Sequence, residues 1–535
     1  MYVSCFCYNT ILYRKRCSHL TAPELSSEIA VITIEDKVYS TATLADDFDD
    51  NHVLVVISNA ASLAKLEYKC EDFDEINCKS IKNLTQTATN RISAKLSGTK
   101  ETSQRSISSE YVTLSNVYNV NTEEFHQVLS IELAEPGKEN VLVAIEKLIQ
   151  RTDVLYAGPN YIYQIDQPED SRSLYRIDPW DAIDAQWAID AIQLRDAWDL
   201  ATGGTSRVAV GIIDNGVDLT HPELVQAEGS RASWVIDLDG ERQQVTYATD
   251  SSGHGTKIAG IIGARTFNGG IAGINYNVEI VSLDIYADGA QTSLSAMLEA
   301  IEIAQEQDIP ILNVSVGPLW DNGATALLYA VRQYPGLIVC AAGNDGQNLD
   351  AVLDTYPLCL DSNNIIVVGA SNTDDDPCVD SNYHPDDVDL FAPGADILSC
   401  HPMALCSSNN CTSNHHYDYG YHYGSGTSFA APYVAGVASL LLSMYQDQVM
   451  SYSAVRYHII NGVDVCDSMI GKCATDGRLN AYKVLSSHIM NAYHEPYDNA
   501  YHQSFCWCTG WKLEWHTWID IGGMQYCSAC GYLAS

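Results

Sequence analysis

The chain has 535 residues and carries 68 acidic against 29 basic side chains, which gives a formal net charge of −39 at pH 7. A chain of this length is expected to form roughly two to four folded units, and its apolar content is sufficient for a sizeable core. The acidic excess argues against nucleic acid or an anionic membrane surface as a partner, and we expect a monomer because like charges repel.

Residues 1–50 show no pattern that assigns them to a fold. Their basic cluster, Arg14 to Arg16, follows a short apolar stretch instead of preceding it. That order is the reverse of a secretory signal peptide, so the sequence contains no clear one. No apolar run approaches the length of a membrane span.

Residues 52–165 are predicted to form a small α+β unit. Between its helices, the polar stretch 79–122 is rich in Ser, Thr and Asn and is predicted to be a loop or insertion. Residues 166–184 are polar and contain prolines, which predicts an exposed linker. The strands are expected at His52–Ser58, Gln127–Leu133 and Leu155–Ile165, and the helices at Asn59–Tyr68 and Lys138–Ile149.

Residues 185–487 alternate between strands and helices. Continuous apolar strands separated by helices predict an α/β fold with a doubly wound parallel sheet. Reactive groups are then expected at the carboxyl ends of the strands. The strands are predicted at Arg207–Ile213, Glu279–Ile285, Ile311–Val316, Leu337–Ala342 and Ile365–Ala370, and the main helices at Ser293–Gln307, Ala324–Gln333 and Thr427–Tyr445.

Three short islands in this region carry groups suited to nucleophilic catalysis. Asp214 ends an apolar strand and could orient a histidine, although Asp-Asn-Gly is also an ordinary turn. His254 is flanked by glycines at the start of a helix, so its ring can approach a nucleophile closely. Ser428 begins an apolar helix, where backbone N–H groups point towards a developing negative charge.

In this order the islands resemble the subtilisin-like serine proteases, whose motifs are D-x-G, H-G-T-x-x-A-G and G-T-S-x-A-x-P. The resemblance covers about residues 185–485. It implies that Ser428 is the nucleophile, that His254 is the general base and that Asp214 fixes the imidazole tautomer. Ala341-Ala-Gly-Asn344 resembles the family loop whose asparagine donates to the oxyanion, so Asn344 is implied as that donor. Protein or peptide substrates follow from the same resemblance.

A primary specificity pocket is also implied by the resemblance. Asp345 is expected near its rim and Thr355 near its base, and the small wall residues leave room for aromatic or long aliphatic side chains. The wall is expected to consist of Ser315, Val316, Gly317, Ala341, Ala342 and Gly343.

The unit at 52–165 resembles the inhibitory propeptide of the family. A self-processed zymogen is therefore expected, cut between about 166 and 185 and inhibited by its own propeptide. The resemblance favours an extracellular or cell-surface location. Catalysis needs no cofactor, but structural calcium is common in the family and its ligands cannot be assigned here.

The last segment, 490–535, is a distinct module rich in Cys, His, Trp and Tyr. Its paired spacings, C-x-C and C-x-x-C, suit a tetrahedral zinc site, with His516 as a possible substitute for one sulfur; two disulfides are the alternative. The ligands would be Cys506, Cys508, Cys527 and Cys530.

A second cysteine-rich region lies just before Ser428. Residues 400–423 hold three of the 17 cysteines and four histidines, and either a metal site or a surface loop with one disulfide would account for them. Two other functions remain open from sequence alone. One is a catalytically silent protease fold that binds proteins, and the other gives the main role to the terminal module as a binding domain.

Overall fold

The computed structural model describes most of the chain between residue 37 and residue 490 and short strands beyond it. For the strands after residue 492, only the backbone is described. The described ranges are 37–97, 122, 124–164, 185–201, 207–225, 230–246, 250–265, 270–287, 291–316, 319–320, 324–349, 355–356, 362–405, 420–444, 450–490, 493–496, 501–506, 510–515, 518–521 and 524–527.

The first part of the described chain, which we call the N-terminal unit, is an antiparallel sheet with helices packed on it. Its elements are β1 (Val38–Tyr39), β2 (Phe48–Ile57), α1 (Asn59–Ala64), β3 (Cys78–Asn83), α2 (Gln86–Ser97), β4 (Val128–Leu133), α3 (Lys138–Leu148) and β5 (Val154–Gln164). The strand order is β1-β5-β2-β4-β3, in which only the β1–β5 pair is parallel. The central strand β2 is buried from Val53 to Ile57, as expected for a run of β-branched and leucine side chains.

A larger unit follows and continues to residue 490. Its first elements are α4 (Trp187–Ala191), α5 (Leu194–Leu200), β6 (Ala209–Asp214), β7 (Ser233–Ile236), β8 (Arg242–Val245), α6 (His254–Gly263), β9 (Glu279–Asp284), β10 (Gln291–Ser293), α7 (Leu294–Glu306), β11 (Ile311–Val314), β12 (Leu319–Trp320) and α8 (Ala324–Gln333). The remaining elements are β13 (Leu337–Ala341), β14 (Thr355–Tyr356), β15 (Ile365–Ser371), β16 (Leu390–Pro393), β17 (Ile397–Cys400), β18 (Tyr421–Gly424), α9 (Thr427–Ser443), α10 (Tyr452–Asn461), β19 (Val463–Val465), β20 (Gly477–Leu479) and α11 (Ala481–Met490).

The large unit is built on a ten-stranded sheet with the order β19-β20-β16-β15-β13-β11-β6-β9-β7-β8 in the described part of the chain. The strands from β20 to β7 run parallel, and β8 and β19 are antiparallel additions at the edges. The predicted α/β fold with a parallel sheet is confirmed. Parallel strands place their carboxyl ends along one edge, and Asp214 lies at that edge.

The two faces of this sheet belong to two separate hydrophobic cores. In β6, Val210 and Ile212 pack into the core that contains α6 and α9, whereas Ala209 and Ile213 pack into the core that contains α7 and α8. This alternation explains why the strand is apolar from Ala209 to Ile213. The second core is continuous with the core of the N-terminal unit, because α8 packs against β2 and β4 while α7 packs against β5 and α2.

The prediction of a loop or insertion at 79–122 is wrong for its first part, which contains most of β3 and all of α2. Helix α2 is polar because part of its contact surface is polar. Thr87 donates through its N–H and its hydroxyl to Glu302 of α7, at 2.7 and 2.6 Å. Composition alone therefore gave no indication of a packed helix.

Other differences concern the ends of the units. Strand β2 begins at Phe48, before the expected boundary at residue 52. A disulfide joins Cys70 to Cys78 and was not predicted. Residues 1–36 and the expected linker at 166–184 lie outside the described residues.

The terminal module is described only as β21 (Tyr493–Pro496), β22 (Tyr501–Cys506), β23 (Gly510–Trp515), β24 (Trp518–Ile521) and β25 (Met524–Cys527). The first three form one antiparallel sheet and the last two form a hairpin. Within the described ranges, no helix combines the length and the apolar character needed to cross a membrane.

Candidate active site

The site is organised around a buried carboxylate at the end of β6. Asp214 is 2% exposed, and its Oδ1 accepts a hydrogen bond from the N–H of Asn215 at 2.9 Å. Both carboxylate oxygens lie 2.9 Å from Nδ1 of His254. The carboxylate therefore requires the proton of a neutral imidazole to be on Nδ1, which leaves Nε2 as the basic nitrogen.

His254 is held by the first turn of α6. The preceding Gly253 has φ +81°, a conformation that suits glycine, and a Cβ there would lie 2.4 Å from the ring of His401. The buried Asp250 accepts from the N–H groups of Gly253 and Thr256 at 2.6 and 2.8 Å, which satisfies two donors of the helix start.

Electrostatics favour the protonated form of His254. Burial lowers the pKa of the imidazole, but the charge of Asp214 and the hydrogen bond to it raise the pKa, and the net direction is upwards. An imidazole in this environment can take a proton from a neighbouring hydroxyl and hold it as a charged ring.

Ser428 lies in the first turn of α9, after Gly426 with φ +129°, and is 8% exposed. The following residue, Phe429, contacts the His254 ring edge-on with the ring centroids 5.7 Å apart. The start of α9, which carries Ser428, therefore lies beside the Asp214–His254 pair. Pro432 lies one turn further on and has no N–H to donate to the carbonyl oxygen of Ser428. That oxygen accepts instead from the hydroxyl of Ser315 at 3.0 Å.

Asn344 is fixed against the turn that carries Ser428. Its Oδ1 accepts from the N–H and the hydroxyl of Thr427 at 2.8 and 3.0 Å. The Thr427 hydroxyl is in turn an acceptor for the N–H of Gly343 at 3.0 Å. Because the amide oxygen is engaged, the Nδ2 group is the part of Asn344 that remains to donate to a ligand.

The residues predicted to line the substrate pocket are placed unevenly. Ala341 and Ala342 direct their methyl groups into opposite hydrophobic cores, so only their backbone can contact a substrate. Asp345 is exposed, and its Oδ2 accepts from Nδ2 of Asn382 at 3.0 Å. Val316 is partly buried, Gly317 lies outside the described residues, and Thr355 lies in β14, for which only the backbone is described.

A third buried carboxyl beside the site, after those of Asp214 and Asp250, was not predicted from the sequence. Asp284 ends β9 and is paired in register with Asp214 on the adjacent strand. Burial, together with the charges of Asp214 and Asp250, raises its pKa to about 7, although it accepts from the N–H of Tyr286 at 2.9 Å. Its position at a strand end, matching that of Asp214, was the available sequence indication.

The cysteine-rich region at 400–423 is described only at its ends, which pair as β17 and β18. Cys400 is buried with a free thiol, so the one disulfide predicted for this region does not include Cys400. The rings of His401 and His422 lie close together, with centroids 5.2 Å apart and planes inclined by 36°. Burial lowers the pKa of His401 to about 4. The other cysteines of this region, Cys406 and Cys411, lie outside the described residues.

The zinc site predicted in the terminal module is not described. Cys506 and Cys527 end β22 and β25, for which only the backbone is described, and Cys508 and Cys530 lie outside the described residues. Zinc or disulfides at these cysteines and structural calcium elsewhere stay predictions.

Comparison with known proteins assigns the chain. The sequence model of the subtilase family matches residues 205–483, which is 279 of the 535 residues and includes Asp214, His254, Asn344 and Ser428. The chain belongs to the subtilase family. It is accordingly a subtilisin-like serine endopeptidase, and its substrates are proteins or peptides, as the sequence predicted.

Individual relatives agree with this assignment. Thermitase from Thermoactinomyces vulgaris is 32% identical over 304 residues, which cover 56% of this chain and 95% of thermitase. Subtilisin DY from Bacillus licheniformis is 34% identical over 254 residues, which cover 47% of this chain and 81% of that protein.

Among solved structures, fervidolysin from Fervidobacterium pennivorans, a keratinolytic enzyme related to subtilisin, superposes with a TM-score of 0.56 at 18% identity. The alignment covers 86% of this subtilase but only 64% of fervidolysin, so the likeness supports the fold alone.

Proposed function

We propose that this subtilase is a self-processing zymogen whose triad is Asp214, His254 and Ser428. The observation that carries the proposal is the Asp214–His254 hydrogen bond beside the helix start that holds Ser428. Ser428 Oγ attacks the scissile carbonyl while Nε2 of His254 takes the hydroxyl proton. The ring then donates that proton to the leaving amine, and an acyl-enzyme remains for hydrolysis by water.

Two donors would hold the oxyanion during this attack. One is Nδ2 of Asn344, whose amide oxygen is already fixed by Thr427. The other is the backbone N–H of Ser428, which lies in the first turn of α9 and has no helical partner there. Donors that are oriented before the reaction stabilise the developing charge without further reorganisation.

The N-terminal unit is proposed to be the intramolecular inhibitor. Its last strand, β5, extends into the large unit by pairing antiparallel with β10, Ile162 opposite Ser293 and Gln164 opposite Gln291. Asn160 is fully buried at this junction. Its Oδ1 accepts from the N–H of Ser295 at the start of α7, and its Nδ2 donates to the carbonyl oxygen of Leu238, both at 2.9 Å.

Processing is proposed to fall in the segment that follows this strand pair. Residues 166–184 continue the chain directly beyond Gln164, and strand pairing of this kind presents an extended backbone as a protease substrate does. Cleavage there would leave the N-terminal unit bound through its packing on α7 and α8, so inhibition would outlast the cut.

The pocket is proposed to accept aromatic or long aliphatic side chains. Ser315 uses its hydroxyl to satisfy the Ser428 carbonyl, so this hydroxyl is already engaged in supporting α9. Asp345 carries the charge among the described residues that were expected to form the pocket. Because its side chain is exposed, it contributes little binding energy towards a Lys or Arg side chain of the substrate.

An extracellular or cell-surface location is proposed on chemical grounds. The Cys70–Cys78 disulfide is of a kind that persists in oxidising compartments and is rare in the cytosol. Recovery of the uncleaved Ser428→Ala protein from the culture medium, with this disulfide intact, would support the proposal. Recovery only from cell extracts, with both thiols reduced, would contradict it.

The catalytic proposal is tested by replacing Ser428 with alanine. The variant should hydrolyse no peptide and should keep its full mass, whereas the parent should lose the N-terminal unit and begin between 166 and 185. Ser425→Ala is the matched control, because Ser425 lies in the same turn but its hydroxyl accepts only from the N–H of Asp396, at 2.9 Å. A Ser428→Ala protein that cleaves peptides at the parental rate would disprove the assignment.

A further inference from the structure

A cluster of potential metal ligands lies where the N-terminal unit meets the large unit. Nδ1 of His52 is 2.5 Å from Oδ2 of Asp49 and 3.6 Å from Oδ1 of Asp239. Asp49 and His52 belong to β2, and Asp239 lies in the turn between β7 and β8. We call these three side chains the junction cluster; their donor atoms lie within 4.8 Å of one another.

The turn that carries Asp239 is held in place from both units. The carbonyl oxygen of Leu238 accepts from Nδ2 of Asn160 at 2.9 Å and from the hydroxyl of Ser293 at 2.6 Å. On the opposite side of the cluster, Asp49 accepts from the N–H of Asn51 at 2.8 Å and, through Oδ2, from Asn160 at 3.3 Å. These contacts orient the carboxylates before any ligand binds, as outer-shell hydrogen bonds do in metal sites.

Little positive charge is available around the junction cluster. Among the described residues, His52 is the ion-pair partner of Asp49 and of Asp239. Lys79 pairs with Glu132, which lies opposite His52 on β4, and Lys82 pairs with Glu241 and Glu299. With a neutral imidazole, two carboxylates from separate units would face each other without a neighbouring cation, which is unfavourable unless a cation is bound.

We propose that the junction cluster binds a divalent transition-metal ion of the zinc type and thereby links the two units. One imidazole nitrogen and two carboxylate oxygens suit zinc, whereas calcium prefers six to eight oxygen ligands. Zinc bonds of about 2.0–2.2 Å place tetrahedral ligand atoms about 3.3 Å apart. The two spacings from the imidazole nitrogen, 2.5 and 3.6 Å, bracket that value, and all three ligand atoms lie within 4.8 Å of one another. Side-chain shifts on the order of 1 Å would therefore form the site, with water as the fourth ligand.

The ligands come from both units, so the bound metal would favour the docked state of the N-terminal unit. Only the description of the N-terminal unit as an inhibitor rests on the proposed function. The metal site itself does not depend on that proposed function. The competing occupant is a proton, because a charged His52 ring would offset one of the two negative charges of the carboxylates. A metal titration separates the two, since a proton-filled cluster takes up no zinc.

The test uses full-length Ser428→Ala protein, which is expected to stay uncleaved. It is stripped with chelator, reloaded with Zn²⁺, freed of loosely held metal and analysed for zinc per chain. Asp239→Asn in this background should lower the content by about one equivalent, and His52→Asn should do the same. Glu241→Gln, which removes a charge from the same turn, should leave the content unchanged.

Zinc held by the terminal module would be present in every variant and would cancel in the comparison. Equal zinc contents in the parent and in Asp239→Asn would overturn the proposal. If His52→Asn does not fold, Asp239→Asn decides alone, because the Asp239 side chain is 55% exposed and its loss leaves the packing intact. A Ser428→Ala chain that is nevertheless cleaved would contradict the proposed zymogen, while the comparison of zinc contents would still test this site.

Discussion

The contact between α2 and α7 predicts that stability falls as the pH rises. Glu302 is 5% exposed, and one of its oxygens accepts twice from Thr87 while the other, Oε2, is buried with no hydrogen-bond partner. Burial raises the pKa of this carboxyl from its ordinary value of 4.5 to about 7. A raised pKa stabilises the folded chain below pH 4.5, and this contribution is lost as the pH rises through about 7.

The magnitude follows from that pKa difference. Between pH 5 and pH 8 the contribution of Glu302 should fall by about 2–3 kcal/mol, since each pKa unit corresponds to about 1.36 kcal/mol. Glu302→Gln keeps the acceptor for Thr87 and cannot titrate. Denaturant unfolding of Ser428→Ala protein with and without Glu302→Gln, at several pH values, isolates the effect because other titrating groups cancel. Parallel pH profiles for the two proteins would refute the reasoning.

Three further predictions concern catalysis, specificity and the terminal module. Asn344→Asp keeps the acceptor that holds Thr427 but removes the donor, so kcat for a peptide substrate should fall by a factor of about 10²–10³, with KM little changed; an unchanged kcat would exclude Asn344 as an oxyanion donor. Asp345→Asn should change the ratio of Lys to Leu cleavage in a peptide library only a few-fold, because Asp345 is exposed, and a library profile restricted to Arg would contradict the proposed pocket. Chelation should unfold the terminal module and leave peptide hydrolysis intact if its cysteines hold zinc, whereas a disulfide-held module would respond only to reductant.

The sequence predicted the large unit well because its strands are buried on both faces. Such a strand contains a continuous apolar run, as from Ala209 to Ile213 in β6, so the strand is recognised without knowing its neighbours. The catalytic islands were recognised for a related reason. Gly253 and Gly426 have positive φ values. Because this backbone conformation favours glycine, the glycines next to the catalytic residues can be recognised from the local sequence.

Residues whose role depends on distant partners were not recognised. Asn160 lies in a strand but caps α7 through the N–H of Ser295, a contact between residues 135 positions apart. Helix α2 was missed because its polar side chains find their partners on α7, far along the chain. The position of Asp284 at a strand end was visible in the sequence, but its place beside the site depends on β9 pairing with β6, and neighbouring strands cannot be assigned from the sequence of either one.

The hydrophobic core shared by the two units affects the order in which they fold during synthesis. Strands β2, β4 and β5 leave the ribosome before any strand of the large sheet, and domains fold as units from the N-terminus during synthesis. Pairings between distant parallel strands form slowly, because a long loop must close first. When α7 and α8 emerge, the surface on which they pack is already present, so the N-terminal unit can act as a template for the folding of one half of the protease.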